Sequence, residues 1–337
     1  MVYCGLIDGE GTLVLGNFFN SFYYGKAGKG DYNPENLPAN RVQLFFETLR
    51  VRWSALVKLN LLYMLFWLPA LLWTAWNFLA MQNMLAMNAA GELLDGELAE
   101  QLLGLLWMWL LVLAPCIAIT GPATAGVSYV TRNWARDQHS FMLSDFKDAF
   151  KENWKQALLI SSITGALPVL VFVCYRFYGQ LTSTNGMVFI IPQMLVVVLG
   201  ILWLLALQLL YTLMVTYTLP FRHLIRNAFI LSIGKLPLSV GIRLLTLVIP
   251  AVALSVAWIF PDATAYALLA LVLYTLLFGF AFNRFLYASY ANAVCERYIN
   301  PKIEGAKVGM GLRQTTEDDY EIDPTMPQPA PRDDDEK

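Results

Sequence analysis

Residues 121–156 decide the fold of this chain: GPATAGVSYVTRNWARDQHSFMLSDFKDAFKENWKQ. The stretch begins where one long apolar run ends at Thr120 and stops where the next begins at Ala157. Its charged and aromatic residues are typical of a connection that lies outside lipid. Apolar runs of about twenty residues have the length that an α-helix needs to cross the hydrocarbon core. The stretch therefore predicts membrane spans joined by polar connections.

The composition supports this prediction for the whole chain. Its 337 residues are 57% hydrophobic and 14% charged, with a mean hydropathy of +0.51. A soluble domain is about 45–50% apolar and about 25% charged. The net charge of −2 comes without a basic stripe that would bind phosphates, so no nucleic-acid partner is expected.

Six apolar runs of span length follow one another along the chain. They predict an all-α, polytopic membrane protein whose main partner is the lipid bilayer. Pro115, inside the second run, predicts a kink. The predicted spans are residues 59–81, 102–120, 157–178, 192–215, 238–260 and 263–283.

The distribution of basic residues predicts the orientation. Of 23 Lys and Arg residues, Arg176 alone lies on the side expected outside the cell, near the outer end of the third predicted span. Because cytoplasmic connections are rich in Lys and Arg, both termini are expected in the cytoplasm of a cell-membrane protein. Residues 1–40 are then a cytoplasmic arm and residues 41–300 the six-span domain. Residues 301–337 are rich in acids and proline, which predicts a disordered cytoplasmic tail.

Three segments that precede spans carry apolar residues at helical spacing with charges opposite: residues 41–58, 144–156 and 220–234. Such segments predict amphipathic helices that lie in the cytoplasmic membrane interface. In the deciding stretch, Pro122 suits the first turn of a new helix. Ser144 suits the N-cap of the amphipathic helix that follows.

A threefold internal repeat is also predicted. Each amphipathic segment leads into a span that contains a proline, and each such span is followed by a second span. The three copies would share one orientation and form a pseudo-threefold bundle, unlike the inverted repeats of many transporters. The prolines Pro69, Pro168 and Pro250 follow Trp53, Trp154 and Gly234 by 16, 14 and 16 residues.

Residues 144–156 are also a candidate docking surface. A helix between two spans on the inner side has the geometry needed to hold a cytosolic transport component, such as an ATPase or a permease subunit. The candidate docking residues are Phe146, Phe150, Trp154, Lys147 and Lys151.

The small residues at the start of the stretch are candidates for close helix packing. Small side chains let membrane helices approach each other. The alternative is a loop that admits a ligand to the backbone. The candidates are Gly121, Pro122, Ala125 and Gly126.

Polar residues within the predicted spans are few, and no Asp or Glu lies in the middle of one, so no coupled ion or proton path is indicated. Gln208 is the main candidate, as an interhelical hydrogen bond or alternatively a ligand contact. Arg243 and Arg284 lie near the inner boundary, where their side chains can snorkel. A bound anionic headgroup is the alternative there.

Catalytic patterns are missing from the sequence. Its histidines, His139 and His223, both lie in connections, and neither an HExxH pair, a GxSxG elbow nor a Walker-type loop occurs. The four cysteines have no metal-type spacing. We therefore predict no enzymatic activity, no cofactor and no metal site.

Four segments together resemble the YesL-like family of bacterial membrane proteins, over about residues 15–300. The resemblance implies a domain without established activity, found mainly in Gram-positive bacteria and often encoded beside genes for carbohydrate uptake and glycoside breakdown. A role accessory to oligosaccharide uptake is therefore expected. A stand-alone channel and a non-transporting scaffold or regulator are the alternatives. The segments are GNFFNSFYYGKAGKG (16–30), KLNLLYMLFWLP (58–69), GPATAGVSYVTRNW (121–134) and DFKDAFKENWKQAL (145–158).

Overall fold

The computed structural model describes residues 37–303, 306 and 308–313. Most of the predicted arm and tail, residues 1–36 and 314–337, lies outside the described residues. The chain forms two units, Asn40–Gly311 and a second made of Met1–Ala39 with Leu312–Lys337. In the described part of the second unit, the Arg313 amide donates a hydrogen bond to the Pro38 carbonyl at 3.0 Å.

The unit Asn40–Gly311 is built of helices that run back and forth between two ends, and its described residues include no β-strand. A π-helical segment, Thr275–Gly279, joins the last two helices, and short 3₁₀ turns occur at Met187–Phe189, Pro261–Ala263 and Asn300–Lys302. The helices are α1 Arg41–Val51, α2 Trp53–Ala89, α3 Asp95–Ala135, α4 Met142–Asn185, α5 Ile190–Met214, α6 Phe221–Gly234, α7 Leu236–Ile259, α8 Thr264–Tyr274 and α9 Phe280–Tyr298.

Six helical segments in the described chain are long and apolar enough to cross a membrane. They are α2, α3, α4, α5, α7 and the continuous α8–α9 segment, and each matches one predicted span to within one residue at any end that the segment does not cover. The prediction of an all-α protein with six spans is therefore confirmed. The threefold repeat remains a prediction, although the helices do follow each other as three antiparallel pairs.

The deciding stretch folds differently from its prediction. Residues 144–156 do not form a separate interfacial helix, because they are the first part of α4, a helix of 44 residues. At 1.5 Å per residue α4 is about 66 Å long, roughly twice the thickness of the hydrocarbon core. Ser144 is not the N-cap: Phe141 precedes the first helical residue, and the Ser144 hydroxyl points along the helix toward Asp148.

Pro122 does not begin a new helix, because α3 continues unbroken from Asp95 to Ala135. A proline inside a helix leaves the carbonyl four residues earlier without its backbone donor. Here that carbonyl belongs to Ala118, and the Ser161 hydroxyl of α4 donates to it at 2.6 Å. A side chain from the neighbouring helix therefore replaces the missing hydrogen bond, which a reading of α3 alone could not reveal.

The connections rich in Lys and Arg meet at one end of the unit, which we call the basic end. Arginines there bind other helices and connections: Arg52 to the Gln138 carbonyl at 3.3 Å, Arg132 to the Val215 carbonyl at 2.7 Å, Arg136 to Asn292 Oδ1 at 2.9 Å, and Arg41 to Glu296 as an ion pair. Burial lowers the pKa of the Arg52 guanidinium from its ordinary value, which the Asp137 carboxylate partly offsets. These contacts tie the basic end together.

The buried core lies in the half of the unit nearest the basic end. Buried residues of α3 concentrate in 120–135, those of α5 in 203–214, and those of α9 in 281–295. The most extensive helix contact joins α3 and α4. The other half exposes large apolar side chains such as Leu254 and Trp258, as expected when lipid is the solvent.

Candidate functional site

Polar side chains from all six spanning segments lie at one level of the bundle. We call this set the polar layer: Tyr63 of α2, Thr124 of α3, Ser161 of α4, Tyr211 of α5, Arg243 of α7, and Arg284 and Tyr287 of α9. Each lies within about five residues of the end of its predicted span that faces the basic end. At 1.5 Å per residue, this level is close to the boundary between hydrocarbon and headgroups.

Contacts across helices connect the layer. The Tyr63 hydroxyl and Thr124 Oγ1 are 2.6 Å apart, which joins α2 to α3. Tyr211 lies close enough to Ser161 and Tyr63 to interact with both. The Arg284 guanidinium lies over the Tyr211 ring, 4.8 Å from its centre. Most of the layer is therefore one contiguous group rather than scattered substitutions.

Two arginines meet at Tyr287. Arg243 Nη1 donates to the Tyr287 hydroxyl at 2.9 Å, and Arg243 Nη2 donates to the Leu204 carbonyl. Thr246 Oγ1 is 3.0 Å from the same hydroxyl. The guanidinium carbons of Arg243 and Arg284 lie 5.2 and 5.8 Å from the centre of the Tyr287 ring. One aromatic ring is therefore shared by two cations.

No carboxylate neutralises these cations in the described part of the chain, where Arg41 and Glu296 form the sole ion pair. Arg243 Nε is buried without a partner. Arg284 donates no hydrogen bond to any described residue. The snorkelling expected of this pair remains a prediction; Arg243 is half-buried and hydrogen-bonded to α5 and α9.

Gln208 lies next to the layer in a second buried network. Its Nε2 donates to the Ser239 carbonyl at 3.0 Å, which links α5 to α7. The Ser239 hydroxyl is 2.6 Å from the Tyr290 hydroxyl of α9. Gln208 therefore makes an interhelical hydrogen bond, while its Oε1 stays without a partner. Sequence reasoning missed Ser239 and Tyr290, because nothing local distinguishes them from neighbouring residues.

The small residues of α3 lie against α4. A Cβ atom added to Gly121 would be 2.4 Å from the Ala157 carbonyl oxygen, and one added to Gly126 would be 2.6 Å from the Phe146 ring. Pro122 and Ala125 are buried beside them. The structure thus places the four candidates at a close helix contact rather than in a ligand-binding loop.

The docking candidates divide into two groups. Phe146 is buried against α3, so its prediction as a docking residue is wrong. Phe150 is half-buried and lies 5.7 Å from the Phe66 ring. These rings face inward because α2 and α3 supply an apolar surface on that side. The exposed candidates are Trp154, Lys147 and Lys151, and their docking role remains a prediction.

Two apolar residues beside them were missed. Phe141 and Leu143, just before and inside the first turn of α4, are 69% and 63% exposed. His139 contacts Phe141 edge to face, with ring centres 4.7 Å apart. Two large apolar side chains in an otherwise polar connection are the sequence signal that could have revealed this exposed surface. Together with Lys147 and Lys151 they form an exposed surface that we call the tip of α4.

The fold and the polar layer define a multi-pass helical membrane protein. A family described as "Protein of unknown function, DUF624" matches residues 101–175, which contain the deciding stretch. The chain is also 27% identical over 141 residues to "Uncharacterized protein YesV" of Bacillus subtilis (strain 168). That alignment covers 42% of this chain and 66% of the relative, just under two thirds of its length. No solved structure is significantly similar to the chain.

These similarities support a less specific family assignment than the one expected from the sequence. They support the family of unknown function DUF624 rather than the YesL-like family specifically. Neither description names a substrate, a partner or a reaction.

Proposed function

We propose that this protein is a non-enzymatic membrane component of carbohydrate uptake that holds a cytosolic partner at the tip of α4. The observation that supports the proposal is the exposure of Phe141 and Leu143, which lie outside the predicted spans. The proposal places the basic end in the cytosol, on the argument from Lys and Arg.

A protein partner is the cover that we propose for these two side chains. Leu143 lies 14 residues before Ala157, where the predicted third span begins. This part of α4 stays close to the bundle, because the rings of Phe146 and Phe150 lie 6.4 and 5.7 Å from the ring of Phe66 in α2. Leu143 instead lies on the outer side of α4, in line with the exposed Lys147 and Lys151 at spacings of four residues. An apolar surface that continues into exposed lysines is suited to a protein partner.

The chemistry of the tip indicates what the partner offers. Protein interfaces have an apolar centre and a polar rim. Phe141 and Leu143 supply an apolar centre, and the exposed Lys147 and Lys151 supply a cationic rim. A complementary partner carries an apolar pocket edged by Asp or Glu, on a cytosolic ATPase or on a cytosolic loop of a permease.

The link to carbohydrate comes from the resemblance to the YesL-like family. A stand-alone channel would need polar groups along the whole bundle axis. The polar layer instead lies at one level near the basic end, so a channel is the weaker candidate.

The test compares two double variants in the native host. Phe141→Ser with Leu143→Ser removes the apolar centre. Leu94→Ser with Met187→Ser removes two apolar residues of similar exposure, 70% and 82%, from connections at the opposite end. A deletion strain carrying each variant is grown on oligosaccharides, and the protein is cross-linked and purified from its membranes.

We expect the tip variant to lose both growth and cross-linking to an uptake component, while the control variant keeps both. Unaltered growth of the deletion strain on every oligosaccharide would reject the role in uptake. Growth loss with undiminished cross-linking of the tip variant would reject the docking surface.

A further inference from the structure

Arg243 and Arg284 place two positive charges beside one tyrosine ring. Both guanidinium groups face the Tyr287 ring, from α7 and α9, at 5.2 and 5.8 Å. Two like charges beside one ring repel, and near hydrocarbon their hydration is incomplete. Arg243 and Arg284 are both half-buried, and charges withdrawn from water in proteins are normally paired. This pair has no carboxylate partner among the described residues.

The tyrosines compensate only part of this charge. The Tyr287 hydroxyl accepts from Arg243, and the faces of Tyr211 and Tyr287 lie against Arg284. A neutral hydroxyl and an aromatic face attract a cation but do not cancel it. The site therefore keeps a net positive charge that an anion would neutralise.

Unused donors indicate where the anion would bind. Arg243 Nε is buried and has no acceptor, although Nη1 and Nη2 are both engaged. Arg284 has no hydrogen-bond acceptor in the described part of the chain. A guanidinium has five N–H donors in a planar fork that fits phosphate oxygens two at a time. Two such groups can hold one phosphate between them.

The site can be reached from the side of the bundle. Arg243 donates to the carbonyl of Leu204, whose side chain is 43% exposed on the surface that faces lipid. Leu244, the next residue of α7, is 59% exposed. Arg243 lies about 10 Å from the start of α7. A headgroup phosphate and a snorkelling arginine can meet at this depth.

We propose that Arg243 and Arg284 together bind the phosphate group of an anionic ligand at the membrane boundary. The ligand is the headgroup of an anionic phospholipid or a soluble phosphorylated solute, two sources that share this chemistry. The inference concerns the purified chain and does not depend on docking at the tip of α4.

The test measures thermal unfolding of the purified full chain by tryptophan fluorescence in dodecyl maltoside micelles. One arm adds phosphatidylglycerol, a second adds phosphatidylcholine at the same mole fraction, and a third adds glycerol phosphate in solution. The variants are Arg284→Gln, Arg284→Lys and the control Arg226→Gln, which removes an exposed charge from α6. Arg284 donates no hydrogen bond to described residues, so Arg284→Gln removes none on which folding depends.

We expect phosphatidylglycerol to raise the unfolding temperature of the wild type and of Arg226→Gln, with phosphatidylcholine far weaker. In Arg284→Gln the half-saturating amount should rise at least about tenfold, because charge-assisted hydrogen bonds are the strong ones. Arg284→Lys should lie between the two, since it keeps the charge and loses the fork. The same Arg284 dependence with glycerol phosphate alone would assign the site to a soluble ligand.

Two results would overturn the proposal. One is a wild type that no anion stabilises. The other is equal weakening in Arg284→Gln and Arg226→Gln, which would show that net surface charge alone attracts the anion.

Discussion

The ring of Phe146 lies directly on the backbone of Gly126. A Cβ atom at Gly126 would be 2.6 Å from Phe146 Cδ2 and 2.8 Å from the Phe146 carbonyl oxygen. This contact brings the last third of α3 and the first turns of α4 together, and both of its residues belong to the stretch that decides the fold. The same contact turns Phe146 into the core.

The first prediction concerns that contact. Gly126→Ala should lower the free energy of unfolding by about 1–3 kcal/mol, because the added methyl group overpacks a closed helix interface. The measurement is unfolding in mixed detergent micelles by titration with dodecyl sulfate. Gly104→Ala, with no neighbour within 4 Å of the added Cβ, is the matched control and should be neutral or slightly stabilising. Equal effects at both glycines would contradict the close packing.

The second prediction separates the two faces of α4. Phe146→Asp should destabilise the protein by more than about 3 kcal/mol, because it removes a buried ring and buries a carboxylate. Lys147→Asp changes an exposed neighbour, so its effect should stay within about 0.5 kcal/mol. Circular dichroism during heating checks both. A stable Phe146→Asp variant would show that Phe146 is not part of the core.

The third prediction concerns Asn60, which supports the π-helical segment before α9. Its Nδ2 donates to the carbonyls of Thr275 and Leu276 at 2.9 and 2.8 Å, and its Oδ1 accepts from the Ala281 amide at 2.8 Å. Asn60→Leu, of similar volume, should cost about 2 kcal/mol, since hydrogen bonds between membrane helices average about 0.6 kcal/mol each. Unfolding with dodecyl sulfate measures the loss. Asn77→Leu is the control, because Asn77 Nδ2 bonds only within its own helix, to Trp73.

The fourth prediction tests the replacement of a backbone hydrogen bond by Ser161. Ser161→Ala should destabilise the protein by about 1 kcal/mol, because the Ala118 carbonyl loses its donor. In a Pro122→Ala background the loss should be smaller, since residue 122 then supplies its own N–H. A double-mutant cycle measures the coupling between the two sites. Strictly additive effects would contradict the explanation.

The fifth prediction concerns orientation. Single cysteines at Glu92 and Lys151, in a background without native cysteines, should react with a membrane-impermeant maleimide from opposite sides of the cell membrane. Intact cells should label only Glu92→Cys, and inside-out vesicles only Lys151→Cys. Labelling of both from the same side would reject the six-span topology and the cytosolic position of the tip.

Much of the architecture follows from the sequence because lipid imposes a simple condition. A backbone that crosses hydrocarbon must satisfy its hydrogen bonds internally, so apolar runs of about twenty residues become helices. The six spans could be predicted for this reason, and the contact at Gly121 could be predicted because small side chains let membrane helices approach each other. The limits of the helices could not be predicted. Pro122 and Ser144 are local signals for the start of a helix, but both residues lie inside long helices, α3 and α4, that pack against each other.

The candidate sites show the same division. Gln208 was visible as an isolated polar residue in an apolar run, whereas Ser239 and Tyr290 were not. Arg243 and Arg284 were visible as charges near a boundary. Their meeting at Tyr287 depends on how α7 and α9 pack, and their sequence separation gives no sign of it.

The sequence by itself determined the solvent of this protein, the number of its spans and the end at which its charges gather, because each depends on how single residues partition between water and lipid. Tertiary structure alone decided that Phe146 faces inward while Phe141 faces outward, and that two arginines share one tyrosine. Those outcomes depend on which helix surfaces meet, and only the packing of the whole bundle fixes that.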